Sequence, residues 1–181
     1  MRNLISLTSF NVLLHVLLLT ILSSLNSCSG ILDKKDANLI DSTCKHTPYY
    51  QLCVSTLRSN PKSSTADVTG LGLIIVGVVK SKSTQALSSI NMFLRSKPEL
   101  KIPLKNCAES YKVVLTADLP EAVEALTKGD PKFAEDGMND AAREAQSCES
   151  GFSLKKSPLT GLNGAVHDLS VVAASIARML L

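Results

Sequence analysis

Residues 104–148 read LKNCAESYKVVLTADLPEAVEALTKGDPKFAEDGMNDAAREAQSC, and this run decides the fold. Apolar residues recur at helical spacing on both sides of a central break. Leu104, Ala108, Tyr111, Val114, Leu115, Leu119, Ala122 and Leu126 precede it; Ala134, Met138, Ala141, Ala142 and Ala145 follow it. The break itself, Gly129-Asp130-Pro131, is helix punctuation. Glycine suits the left-handed position that ends a helix, aspartate is a favoured N-cap, and proline is preorganised for the first helical position. The spacing therefore predicts two helices, one from Leu104 to Lys128 and one reaching about Ser150, joined by a tight turn. Pro120 is expected to kink the first helix, because it removes an i to i−4 bond and crowds the preceding turn, with Asp118 capping the kink.

Helical spacing continues outward in both directions. Upstream, Leu39, Ile40 and Thr43 open a short amphipathic piece that Thr47-Pro48 interrupts, and Tyr49, Tyr50, Leu52, Cys53 and Leu57 form a second piece that Asn60-Pro61 ends. A long helix is predicted from about Ala66 to Arg95, with Leu71, Ile74, Ile75, Val78, Val79, Ala86, Ile90 and Phe93 facing the core. Pro98 and Pro103 mark the following connection. Downstream, Ser157-Pro158 has the order of a helix start, and the stripe Leu159, Leu162, Val166, Leu169, Val172, Ala173 and Ile176 follows. Four long amphipathic helices with short connections pack as an up-down-up-down four-helix bundle, here preceded by an N-terminal helical hairpin. The expected fold class is all-α. Gly70, Gly72 and Gly77 fit this pattern poorly, since each costs about 1 kcal/mol relative to alanine inside a helix. Either Gly70 and Gly72 precede the stable part, or Gly77 permits close helix approach.

Residues 1–29 have the charged start (Arg2), apolar run (Val12 to Leu22) and small-residue end (Ser27, Ser29) of a secretory signal peptide. The apolar run is shorter than the roughly 20 residues of a spanning helix, so no membrane attachment is expected after cleavage. Roughly 150 residues remain, one domain's worth: 30–62 for the hairpin and 63–181 for the bundle. Loss of Arg2 reduces the 19 basic residues to 18 against 16 acidic ones, for a net charge near +2. The charges are interspersed with no basic run, which leaves nucleic acid unsupported as a partner. Tryptophan is absent and aromatics make up 4% of the chain, which argues against a carbohydrate-stacking platform.

Cys28 leaves with the leader, so the five cysteines become four: Cys44, Cys53, Cys107 and Cys148. Four cysteines allow three connectivities. Cys44 and Cys53 stand about 13.5 Å apart along a continuous helix, whereas bridged Cα atoms lie within about 7 Å, so they bond only if the chain reverses at Thr47-Pro48. Cys107 and Cys148 lie near the start of one helix and the end of the next, which an antiparallel pair makes adjacent. The pairing Cys44–Cys53 and Cys107–Cys148 suits the helix reading best. Metal-type spacings such as Cys-x-x-Cys are missing, so no metal site is expected.

Catalysis finds little support. His46 and His167 are the histidines left after the leader. His167 neighbours Asp168, but adjacent helical residues do not face each other, so no dyad is expected. Gly-x-Ser-x-Gly and His-Glu-x-x-His are both missing. Glu121 and Glu124 read as a solvated helix face. The chain is expected to be no enzyme and to need no cofactor.

Lys132 and Phe133 occupy an unusual place. A cation in a first helical turn opposes the helix dipole, at a cost of about 0.3–1 kcal/mol, and Phe133 sits at an exposed end. A rigid tip of lysine flanked by proline and phenylalanine suits a cleft lined with carboxylates; the alternative is a solvated lysine beside a core phenylalanine.

From about Leu39 to Leu181 the chain resembles the plant invertase and pectin methylesterase inhibitor family. The residues that carry the resemblance are Thr43-Cys44-Lys45, Thr47-Pro48, Leu52-Cys53, Pro103-Leu104-Lys105-Asn106-Cys107, Ser110-Tyr111, Leu126 through Met138, Cys148 and Ser157-Pro158. The resemblance implies a four-helix bundle with an N-terminal hairpin and the two local disulfides. The Pro131-Lys132-Phe133 triplet is similar to that of inhibitors of acid β-fructosidases. It implies docking in the sucrose cleft of an acid invertase (β-fructofuranosidase), with Lys132 neutralising catalytic carboxylates and Pro131 and Phe133 excluding substrate. Binding is expected to depend on pH, since the partners meet in an acidic compartment. The pectin methylesterase branch generally lacks the triplet and is the alternative target, met through a side face of the bundle. A carrier of apolar ligands is a more remote alternative. Secretion to the cell wall, or delivery to the vacuole, follows from the leader and the resemblance.

Overall fold

The computed structural model describes His15, residues 38–152 and residues 156–181. Apart from His15, the expected leader at residues 1–29 lies outside the described residues. Residues 39–181 form one unit.

Helix α1 (38–44) ends where the chain reverses, and α2 (Tyr50–Arg58) runs back along it. Thr47 makes the reversal: its amide and its hydroxyl both donate to the Cys44 carbonyl, at 3.0 and 2.8 Å. Cys44 and Cys53 are thereby brought to a Cα separation of 5.6 Å and bonded. Asp41 fastens the hairpin by accepting from Tyr50 Oη at 3.3 Å and Arg58 Nη2 at 3.0 Å. A single 3₁₀ turn, Pro61–Thr65, leads to the bundle; Asn60 accepts from the Lys62 amide and Ser63 donates to the Leu57 carbonyl.

The first bundle helix, α3 (Val68–Ser96), is capped by Asp67, which accepts from the Gly70 amide at 2.7 Å. All three glycines lie inside it. Gly72 is the one that faces other bundle helices: a β-carbon there would make ordinary contacts with Ile176 Cγ2 at 3.4 Å and Leu126 Cδ1 at 3.6 Å, whereas one on Gly70 would crowd its own helix start, with Ala66 Cβ at 3.0 Å, and one on Gly77 would meet nothing within 4 Å. The contact with neighbouring helices thus belongs to Gly72, and Gly77 faces open space.

The second bundle helix is α4 (Lys101–Val113), a π turn (Val114–Asp118) and α5 (Leu119–Lys128) in one continuous run. It begins at Lys101, before Pro103, since a proline in the first turn removes only an amide that has no intrahelical partner. Pro120 does disturb the helix, but through a wide turn just before it. The Leu119 amide donates to the Val114 carbonyl, five residues back. Asp118 has helical dihedrals and its side chain makes no capping bond, so it does not cap a kink; the helix never opens there.

Helices α6 (Pro131–Ser150) and α7 (Thr160–Arg178) complete the bundle. Helix α3 packs on α4, α5 and α7, and α6 on α4, α5 and α7, so the four helices close a ring around Leu71, Ile75, Leu104, Tyr111, Met138, Val166 and Ile176. Cys107 and Cys148 are bonded across α4 and α6 at a Cα separation of 4.6 Å. Ser157 accepts from the Leu159 amide at 3.0 Å, and α7 starts after this turn. The protein is an all-α four-helix bundle with an N-terminal hairpin and two disulfides. No helix among the described residues is long and apolar enough to cross a membrane.

Candidate functional site

The α5–α6 turn begins at Gly129, which has φ +78° and ψ 35°, the left-handed conformation that only glycine adopts without penalty. The Gly129 and Asp130 amides both donate to the Ala125 carbonyl, the latter at 2.8 Å, and so close the end of α5. Asp130 occupies the N-cap position of α6 without capping it. Its ψ of 66° departs from the extended conformation that aims a cap side chain at the first-turn amides. Pro131 then starts α6 with the φ that its ring imposes.

Lys132 and Phe133 therefore project from the first turn of a twenty-residue helix. Phe133 is 55% exposed, so it is no core phenylalanine. It borders a hollow of about 250 Å³ lined by Glu121, Glu124, Ala125, Lys128 and Asp130. Pro131 is half-buried and backs the turn.

The Lys132 ammonium is exposed yet engaged. Its Nζ donates to Asp136 Oδ1 at 2.8 Å and to Glu135 Oε2 at 3.4 Å, the carboxylates one turn along. The hydrogen bond to Asp136 is the largest cause of a lysine pKa above its ordinary value, so the group stays cationic. The two carboxylates also offset the unfavourable meeting of a cation with the helix dipole. Glu135 is buried and has a second partner: Arg178, at the end of α7, donates through Nε to Oε1 at 2.7 Å and pairs through Nη2. Spacing along the helix announces the first pair; Arg178, 43 residues away, has no local signal.

His167 and Asp168 do meet, Nδ1 to Oδ1 at 2.9 Å, against expectation: adjacent helical residues point in different directions, but these two side chains are long enough to reach each other. Asp168 also accepts from Tyr49, which raises that phenol's pKa and ties the hairpin turn to the bundle. Tyr111 donates to Asn163 Oδ1 at 2.6 Å, and Asn163 donates to Glu149 Oε2 at 2.5 Å, a buried polar chain beside the α4–α6 disulfide. Among the described residues no group of three or more histidine, cysteine or acidic side chains could hold a metal ion.

The sequence profile described as Plant invertase/pectin methylesterase inhibitor matches residues 38–176. The chain is 45% identical over 141 residues to an Arabidopsis thaliana protein named cell wall / vacuolar inhibitor of fructosidase 1, covering 78% of this chain and 68% of that one. It is 27% identical over 152 residues to a pectinesterase inhibitor of Actinidia deliciosa, covering 81% and 82%. A crystal structure of a mutant form of a pectin methylesterase inhibitor from Arabidopsis shares the fold, with a TM-score of 0.67 at 20% identity, covering 76% of this chain and 94% of that one. These relatives are named as inhibitors of enzymes, not as enzymes.

Proposed function

The chain belongs to the plant invertase/pectin methylesterase inhibitor family, and we propose that it inhibits a plant acid invertase by occluding the active-site cleft with Pro131, Lys132 and Phe133. The observation that carries this reading is an ammonium and an aromatic ring exposed together on the first turn of α6, behind a turn closed by two amides on one carbonyl. Invertases cleave sucrose with carboxylates, and a cation held on a stiff support complements such a cleft without ordering a flexible loop. Pro131 and Phe133 would fill the space that substrate needs. The name of the Arabidopsis relative supports the same target.

Inhibition of pectin methylesterase through a side face of the bundle is the second reading, favoured by the match to the Actinidia pectinesterase inhibitor over most of both chains. Titrating the protein against purified acid invertase and purified pectin methylesterase separates the two. Loss of sucrose hydrolysis with untouched pectin methylesterase supports the first reading, and the reverse pattern overturns it. We also read residues 1–29 as a signal peptide and 30–181 as the exported inhibitor, bound for the cell wall or the vacuole. N-terminal sequencing of the protein from plant tissue tests this, and a retained leader contradicts it.

A further inference from the structure

We infer that Asp136 is an intramolecular competitor for the Lys132 ammonium, which the target's carboxylates must displace, and that Glu135, clamped by Arg178, is the positioning carboxylate that keeps the ammonium at the tip. The inference rests on the function proposed above. The two carboxylates around Lys132 differ in kind. The Asp136 side chain is 50% exposed and holds Nζ at 2.8 Å, so an incoming carboxylate can replace it with little rearrangement. The Glu135 side chain is 7% exposed and its other oxygen is engaged by Arg178, so it cannot swing away. An ammonium has three protons: one goes to Asp136, one is directed at Glu135, and the third is left for solvent or a partner.

Docking into an acidic cleft therefore trades the bond to Asp136 for one to the target, while the freed Asp136 faces like charge. Both effects oppose binding. Exposed ion pairs of this geometry correspond to about a two- to fivefold change in affinity. Asp136 thus tunes the inhibitor to be weaker, and more readily released, than its lysine alone would make it.

A double-mutant cycle on purified acid invertase tests the inference, using the inhibition constants of the full exported chain. Asp136→Asn is expected to tighten inhibition about two- to fivefold with Lys132 present, and by clearly less in the Lys132→Met background. Glu135→Gln is expected to weaken inhibition severalfold with Lys132 present and to have little effect in that same background; circular dichroism confirms that each variant is folded. Equal effects of Asp136→Asn in both backgrounds would reduce Asp136 to a long-range charge and overturn the inference. So would unchanged or weaker inhibition by Asp136→Asn while Lys132→Met still impairs inhibition, and in that case the docking model survives. If Lys132→Met itself inhibits as well as the natural chain, the proposed function and this inference fall together.

Discussion

The backbone carbonyl oxygen of Asp118 lies 2.9 Å from the point where a β-carbon on Gly137 would stand. Helix α6 can approach the π turn of its neighbour only because position 137 has no side chain. That contact sets how closely α6 packs on the π turn and the start of α5.

Gly137→Ala is accordingly expected to destabilise the protein by about 1–3 kcal/mol, the range for forcing extra volume into a packed interface, in spite of alanine's better helix propensity. Gly77→Ala, where a β-carbon meets nothing within 4 Å, is expected to stabilise by up to about 1 kcal/mol. Urea unfolding of the two variants checks both signs. A stabilising substitution at 137 would contradict the packing described.

The same π turn holds a carboxyl group with unusual acidity. Asp118 is buried, its Oδ2 accepts no hydrogen bond, and desolvation, with Glu144 and Glu121 nearby, raises its pKa to about 6 against a weaker opposing pull from Arg143. Unfolding returns the group to its ordinary value of 3.8, so the native state binds the extra proton between those two values. Stability is therefore fully present below about pH 4 as far as this group is concerned, and is lost as pH rises through about 6. The loss is at most about 3 kcal/mol, from just over two pH units at about 1.4 kcal/mol each. Asp118→Asn is expected to flatten this part of the pH profile in thermal melts from pH 4 to pH 7.5. A profile as steep as that of the natural chain would contradict it.

The two disulfides should contribute unequally. Cys107–Cys148 closes a separation of 41 residues and Cys44–Cys53 one of 9. In the chain-entropy view these contribute about 4 and about 2.7 kcal/mol. Paired replacement by alanine, Cys107 with Cys148 and separately Cys44 with Cys53, followed by denaturant unfolding, is expected to show the larger loss for the long loop. The opposite order would place the main constraint in the hairpin.

Much of this architecture was legible in the residues. The 3.6-residue stripes located each bundle helix, and Gly129-Asp130-Pro131 announced the turn, because both signals are local. Chain reversal at Thr47-Pro48 and antiparallel packing of α4 on α6 likewise made the disulfide pairing readable. What escaped depends on neighbours distant in sequence. Pro120 signalled a disturbed helix, but not that the disturbance would be a π turn, nor that Gly137 would lie against it. Gly72 and Gly77 look alike until Ile176 and Leu126 are placed beside one of them. Lys132, Glu135 and Asp136 have the spacing of helical ion pairs, so the engaged lysine could have been foreseen; Arg178, which fixes Glu135, could not.

The most direct measurement is the inhibition constant of the Lys132→Ala protein against purified acid invertase at acid pH, beside that of the natural chain. Losing one partner of a docked charge pair is expected to cost about 2–5 kcal/mol, a weakening of roughly thirty-fold or more. Inhibition that survives the substitution unchanged would contradict the claim that this tip is what enters the enzyme.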